Sequence, residues 1–192
     1  MNKFKNIYRI ASTRLKNWNY ASAGYYFVTI CAYNRVNCFG DIIDGGMCLS
    51  DIGYVANKNW LKIPEHFPNV ILDEYVIMPN HIHGIIVINN KKNDNIPVDN
   101  NIMVETQNFA SLQKTSKQLF NKFAPQSKNL ASIIRGYKVS VKKWTTINNI
   151  DFKWQPRFYD HVVREDESLE NIRRYVVNNP INWQDDQENK GA

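Results

Sequence analysis

Apolar residues fall along this chain in short bursts of two different periods. Tyr25-Tyr26-Phe27-Val28-Thr29-Ile30-Cys31 is dense in aromatic and β-branched residues and predicts a first strand. Phe39 to Leu49 predicts two short strands around a Gly-Gly turn at Gly45-Gly46, a hairpin. Ser50-Asp51 then offers a helix cap, and Ile52, Val55, Ala56 and Trp60 recur at helical spacing up to a stop at Pro64. Val70 to Met78 and His81 to Ile88 predict two strands interrupted at Pro79-Asn80, because proline cannot donate to a ladder and asparagine tolerates turn geometry.

From 89 to 126 the composition changes to Asn, Asp, Lys, Gln and Ser with scattered apolar residues, and this stretch is expected to be an insertion of the kind compatible with disorder. Beyond it, Leu130, Ile133, Ile134, Tyr137 and Val141 trace a helical stripe within Ser127 to Trp144, with Arg135, Lys138, Lys142 and Lys143 elsewhere around the helix. Phe158 to Val163 predicts a last strand. Ser168 is expected to cap a closing helix through Leu169, Ile172, Tyr175 and Val176, ended by Asn178-Asn179-Pro180. Strands, helix, strands, helix, strand, helix is the order of an α+β domain with a mainly antiparallel sheet.

At 192 residues the chain suits a single domain spanning 1–192, since folding units run to about 100–200 residues. Apolar residues make up 43% of it, enough for a packed interior, and no apolar run approaches the roughly 18 residues that cross a bilayer. No secretory signal follows Met1, so a cytoplasmic location is expected. Cys31, Cys38 and Cys48 are odd in number and lack C-x-x-C spacing, which argues against a disulfide framework and a cysteine zinc site. A net charge of +6 favours polyanionic partners without naming one.

The chemistry concentrates at Met78-Pro79-Asn80-His81-Ile82-His83. Side chains alternate across a strand, so His81 and His83 point to one face with Cα atoms roughly 6.5–7 Å apart, close enough to share a ligand, while Ile82 points into the core. Two imidazoles at a strand start suit a divalent metal or a phosphate oxygen. Taken alone, the short H-x-H pattern fits two polar residues on the wet face of a half-exposed strand better than a ligand pair, and as a structural zinc site it is two ligands short.

Four blocks, in order, resemble the HUH single-tyrosine transposases and within them the REP-associated tyrosine transposases. Tyr75 to His83 resembles the family's histidine, hydrophobic residue, histidine motif; Tyr25 to Cys31 its first strand; Trp154-Gln155 through Arg164 its late strand; and Ile172-Arg173-Arg174-Tyr175-Val176-Val177-Asn178-Asn179-Pro180 its nucleophile helix. The resemblance covers 20–88 and 127–184 and implies a ferredoxin-like or RRM-like fold.

By that resemblance Tyr175 is the catalytic tyrosine, and His81 and His83 hold Mg²⁺ or Mn²⁺, with Asn179 as third ligand where relatives often carry Gln. The implied activity is that of a DNA nickase and strand transferase acting on single-stranded or hairpin DNA from palindromic element ends, through a 5′-phosphotyrosine. Relatives act as monomers or as homodimers that exchange the tyrosine helix. A non-catalytic DNA-binding protein of the same fold is the alternative, and a metal phosphohydrolase unrelated to DNA a third reading. Tyr159 is a rival nucleophile by residue type, and His161 lies two positions further on the same strand face. Arg14, Arg135, Lys138, Lys142, Arg173 and Arg174 are the expected DNA contacts, with Lys16, Trp18 and Tyr20 beside Arg14.

Overall fold

The structure, a computed structural model, describes residues 14–89, 128–186 and 189, with the backbone of 3–4 and 7–8. The expected insertion at 89–126 lies outside the described residues, Asn89 excepted. Two short strands, β1 (Lys3–Phe4) and β2 (Ile7–Tyr8), pair with each other. The body of the chain then runs β3 (Gly24–Cys31), the hairpin β4 (Gly40–Ile43) and β5 (Gly46–Leu49), α1 (Asp51–Leu61), α2 (Ile63–His66), β6 (Val70–Ile77), β7 (His81–Ile88), α3 (Leu130–Ile147), β8 (Tyr159–Val163) and α4 (Asp166–Asn178).

The main sheet has the order β6-β7-β3-β8, antiparallel throughout. With α1 joining β3 to β6 and α3 joining β7 to β8, this is the split β-α-β-β-α-β arrangement of the ferredoxin-like fold. The fold class read from the sequence is therefore the one observed.

Local chemistry explains most boundaries. Ser50 caps α1 by accepting from the Gly53 amide, and Asn129 and Ser132 form a reciprocal capping box at α3. Three expectations need correction. The hairpin turns on Asp44-Gly45 rather than Gly45-Gly46: both turn residues have positive φ, 51° and 74°, as a type I′ turn requires. Pro64 does not end the helical region but sits in the first turn of α2, where its missing N–H costs nothing. The closing helix starts at Asp166 with Glu165 at its N-cap, three residues ahead of the Ser168 cap expected.

Each strand face is buried under a different layer. Ile82, Ile86 and Ile88 of β7 pack with Trp60 of α1 and Ile133, Ile134, Tyr137 and Val141 of α3. Ile85 and Val87, on the other face, pack with Tyr25 and Phe27 of β3 and with Leu169 and Val176 of α4. Covered on both sides, β7 is buried along its whole length. Tyr137 ties α3 to α1 by donating its hydroxyl to the Ala56 carbonyl. Gly84 is required where β7 passes beneath α1, since a Cβ there would stand 2.3 Å from Trp60 Cζ2.

Candidate active site

The two histidines open β7, and their side chains share the face that α4 covers. Both are buried, 0% and 3% exposed, so the wet-face reading of the H-x-H pattern does not hold. The reason is the layering: α4 closes over this face of the sheet, as α1 and α3 close over the other. His81 Nδ1 is 2.8 Å from Asn80 Oδ1, which can only accept, so Nδ1 carries the proton and Nε2 the lone pair. His83 Nδ1 lies 2.9 Å from the hydroxyl of Thr29, its register partner on β3. The two rings are 4.4 Å apart between centroids.

Burial sets their charge. It pushes the His81 imidazole down to about 3, with a smaller contribution from the positive charge of Arg35. His83 is also held well below its ordinary value, first by burial and then by His81, against an opposing pull from Asp186. Neutral imidazole is the form that ligates a metal, so no proton has to be displaced at neutral pH.

Asp186 is the member of the site that the sequence did not disclose. It follows the helical turn Trp183–Asp185 and is 8% exposed. Its Oδ2 lies 4.0 Å from His81 Nε2, and that nitrogen has no hydrogen-bond partner. Donor atoms of His81, His83 and Asp186 all fall within 4.8 Å of one another. A carboxylate oxygen facing a buried lone pair, with no proton between them, fits a cation better than any arrangement of the three groups by themselves. Two imidazole nitrogens and one carboxylate are a donor set that transition-metal and Mn²⁺ ions accept.

Tyr175 reaches this cluster from α4, held there because Leu169, Ile172 and Val176 seat the helix on the sheet. Its hydroxyl is 3.1 Å from His83 Nε2, within one chain, and its ring meets Phe27 edge-on at 6.2 Å. Burial raises the phenol above its ordinary value, as does the Asp186 charge, while hydrogen bonding from Asn179 favours the phenolate. Asn179 is itself buried one turn beyond Tyr175, with Oδ1 lacking a hydrogen-bond partner. A cleft of about 660 Å³ opens over the cluster, lined by Phe27, Thr29, His83, Tyr159, Tyr175, Asn182, Asp185 and Asp186.

A solved structure of a REP-associated tyrosine transposase bound to a REP hairpin superposes on 91% of this chain and 74% of that one, with a TM-score of 0.56 and 16% identity. This chain has the REP-associated tyrosine transposase fold. A protein of Haemophilus influenzae, itself uncharacterized, is 40% identical over 184 residues, which are 94% of this chain and 93% of that one. The chain belongs to the same family as that protein. No family model matches the chain.

The expected DNA contacts are spread over the REP-transposase fold rather than gathered at the cluster. Arg135, Lys138 and Lys142 lie on α3, across the sheet from the histidines. Lys138 donates to the carbonyls of Gln155 and Arg157, and Lys142 to that of Phe152, so both ammonium groups are engaged within the chain. Burial lowers Lys138 to about 8. Arg135 and Lys143 are exposed.

Arg14 lies over the rings of Tyr20 and Phe158, 3.7 Å from Asp160. Arg173 makes a bidentate pair with Asp73 of β6, and Arg174 donates to Asn171. Both line a hollow of about 830 Å³ between α4 and β6, a separate space from the cleft over the histidines. Among the described residues no helix is long and apolar enough to cross a membrane.

Proposed function

We propose that this protein is a metal-dependent DNA nickase and strand transferase, with Tyr175 as nucleophile and His81, His83 and Asp186 as the ligands of a divalent ion. One observation carries the reading: the phenol oxygen stands 3.1 Å from an imidazole whose neighbours form a buried three-donor cluster. Such an ion, when bound, neutralises charge on a phosphodiester and favours ionisation of a nearby hydroxyl.

The chain's own residues supply the rest. Burial keeps both imidazoles neutral, and Asn80 and Thr29 fix their orientation. Tyr175 is half exposed and lines the open cleft, where a DNA strand would approach it. In the resting site the Tyr175 hydroxyl donates a hydrogen bond to His83 Nε2, and on attack its proton passes to solvent in the open cleft. Attack by the tyrosine oxygen on phosphorus breaks the P–O3′ bond, leaving a 5′-phosphotyrosine and a 3′-hydroxyl that takes up a proton. The energy of the broken bond is retained in the protein–DNA link, so the strand can be rejoined without a nucleotide cofactor.

Mn²⁺ suits the mixed nitrogen and oxygen donors better than Mg²⁺, which prefers oxygen alone. Hairpin-bearing single strands from the gene's flanks, incubated with Mn²⁺, are expected to give a detergent-stable protein–DNA adduct that Tyr175→Phe abolishes. An adduct retained in that variant overturns the assignment.

A second reading draws on the same hydrogen bond. Tyr175 occupies the nitrogen that a cation would need, as it would in a DNA-binding module of this fold that performs no chemistry. Mn²⁺ titration separates the two. Histidine-dependent uptake, weakened about 10- to 100-fold or more in Asp186→Asn, is the outcome for the enzyme, and no histidine-dependent uptake is the outcome for the binding module.

A further inference from the structure

The cleft contains a second tyrosine that the proposed reaction leaves unused. Tyr159 opens β8, the outer strand of the sheet, and pairs in register with Thr29, which pairs in turn with His83. His83, Thr29 and Tyr159 therefore form one row across three strands, pointing to the same face, with the outer two Cα atoms roughly 10 Å apart at two strand spacings. Tyr159 is 55% exposed and lines the same cleft as His83, Tyr175 and Asp186.

Beneath it lies Phe27. The Phe27 ring stacks on His83 at 5.3 Å and meets Tyr159 and Tyr175 edge-on at 6.4 Å and 6.2 Å. The two tyrosines thus flank a single buried phenylalanine, one beside the three-donor cluster and the other near the open sheet edge. An aromatic ring held from below and half open to solvent is the arrangement that stacks a planar ligand, and the fixed support removes much of the entropy cost of ordering the ring on contact.

We infer that Tyr159 is a stacking platform for one unpaired nucleobase of the bound strand, next to the phosphate that faces Tyr175, and that it positions that phosphate over the cluster. The inference rests on the proposed function for the identity of the strand. It concerns the ring and not the hydroxyl, which sets it apart from a role as nucleophile. Duplex DNA, with its bases already stacked, cannot use such a platform, so the site adds a preference for single strands.

The test uses the full chain. In a Tyr175→Phe background, where no strand is cut, single-stranded oligonucleotides from the gene's flanks carry one 2-aminopurine, moved position by position. At one position the fluorescence is expected to be quenched by the protein and by its Tyr159→Phe derivative but not by Tyr159→Ala. Binding should weaken roughly 5- to 150-fold in the alanine variant, the range for loss of one base–aromatic stack. An abasic site at that position should weaken binding by the same factor and add nothing further in Tyr159→Ala.

Equal binding by the alanine and tyrosine forms overturns the inference. So does loss of the covalent adduct in Tyr159→Phe on an otherwise native chain, which would make Tyr159 the nucleophile. Base-specific quenching in a protein whose native form makes no adduct would leave the platform standing and overturn the nickase reading. Absence of any single-strand binding would overturn both.

Discussion

His81 carries its ring where a proton is tolerated only in strong acid, and the consequence reaches the stability of the chain. Its folded value is about 3 against an ordinary 6.5. Above that ordinary value neither state carries the proton, and below it the unfolded chain takes the proton first, so stability falls as pH drops from about 6.5 toward 3. The slope from this one group is at most about 1.4 kcal/mol per pH unit. With chelator present, the Tm of the native chain is expected to fall between pH 6.5 and 4.5, and less steeply in His81→Gln. The histidines were readable because they sit in adjacent same-face positions at the start of an apolar strand. The place of Tyr175 on the closing helix was readable from the stripe of Leu169, Ile172 and Val176, whereas its proposed role came only from the family resemblance. Asp186 was not, because it comes from an irregular turn about a hundred residues from its partners, and no spacing in the chain marks it.

At the scale of elements, the crossing of β7 under α1 is the tightest point of the core. Trp60 lies against the backbone of Gly84, and added bulk there has nowhere to go. Gly84→Ala is expected to cost about 1–3 kcal/mol, the usual penalty for overpacking, and a smaller side chain at Trp60 should partly relieve it. Urea denaturation of the two single variants and the double variant measures this coupling. The elements themselves followed from period: two-residue alternation or dense β-branching for the strands, a 3–4 residue stripe for α1, α3 and α4. Their ends followed less well. Glu165 caps α4 without a side-chain bond, whereas Ser168 has the residue type that caps prefer, so composition pointed to the wrong residue. Asp44-Gly45 turns the hairpin because two positive φ values are needed, a demand of geometry that the Gly45-Gly46 pair had obscured.

Over the whole molecule, the sheet separates two chemistries. One face carries the imidazoles and the phenol; the other carries α3, with Arg135 and Lys143 exposed beside a hollow of about 750 Å³ that also includes Trp154, Phe158 and Arg157. If α3 grips a DNA backbone, Arg135→Gln should weaken binding evenly across sequences and lower the salt slope by roughly 0.7 for a single strand. Fluorescence anisotropy over a range of KCl concentrations measures this, and an unchanged slope would place the backbone elsewhere. The order of elements predicted the sheet correctly, but not that α3 and α4 cover opposite faces. That depends on crossover handedness and on which side of β7 each stripe meets, which a one-dimensional pattern does not encode.

The imidazoles belong to an interior strand bonded on both sides, while the phenol belongs to an outer helix held by a few apolar contacts. Amide hydrogens of His81 to Ile88 should therefore exchange only when the entire domain opens, and those around Tyr175 through smaller, more frequent openings. If Tyr175 acts as proposed, dilute denaturant would draw away the phenol, and with it the Asp186 carboxylate that follows the same helix, while the two imidazoles stayed fixed in the sheet, so strand cleavage would fade at urea concentrations where β7 is still intact.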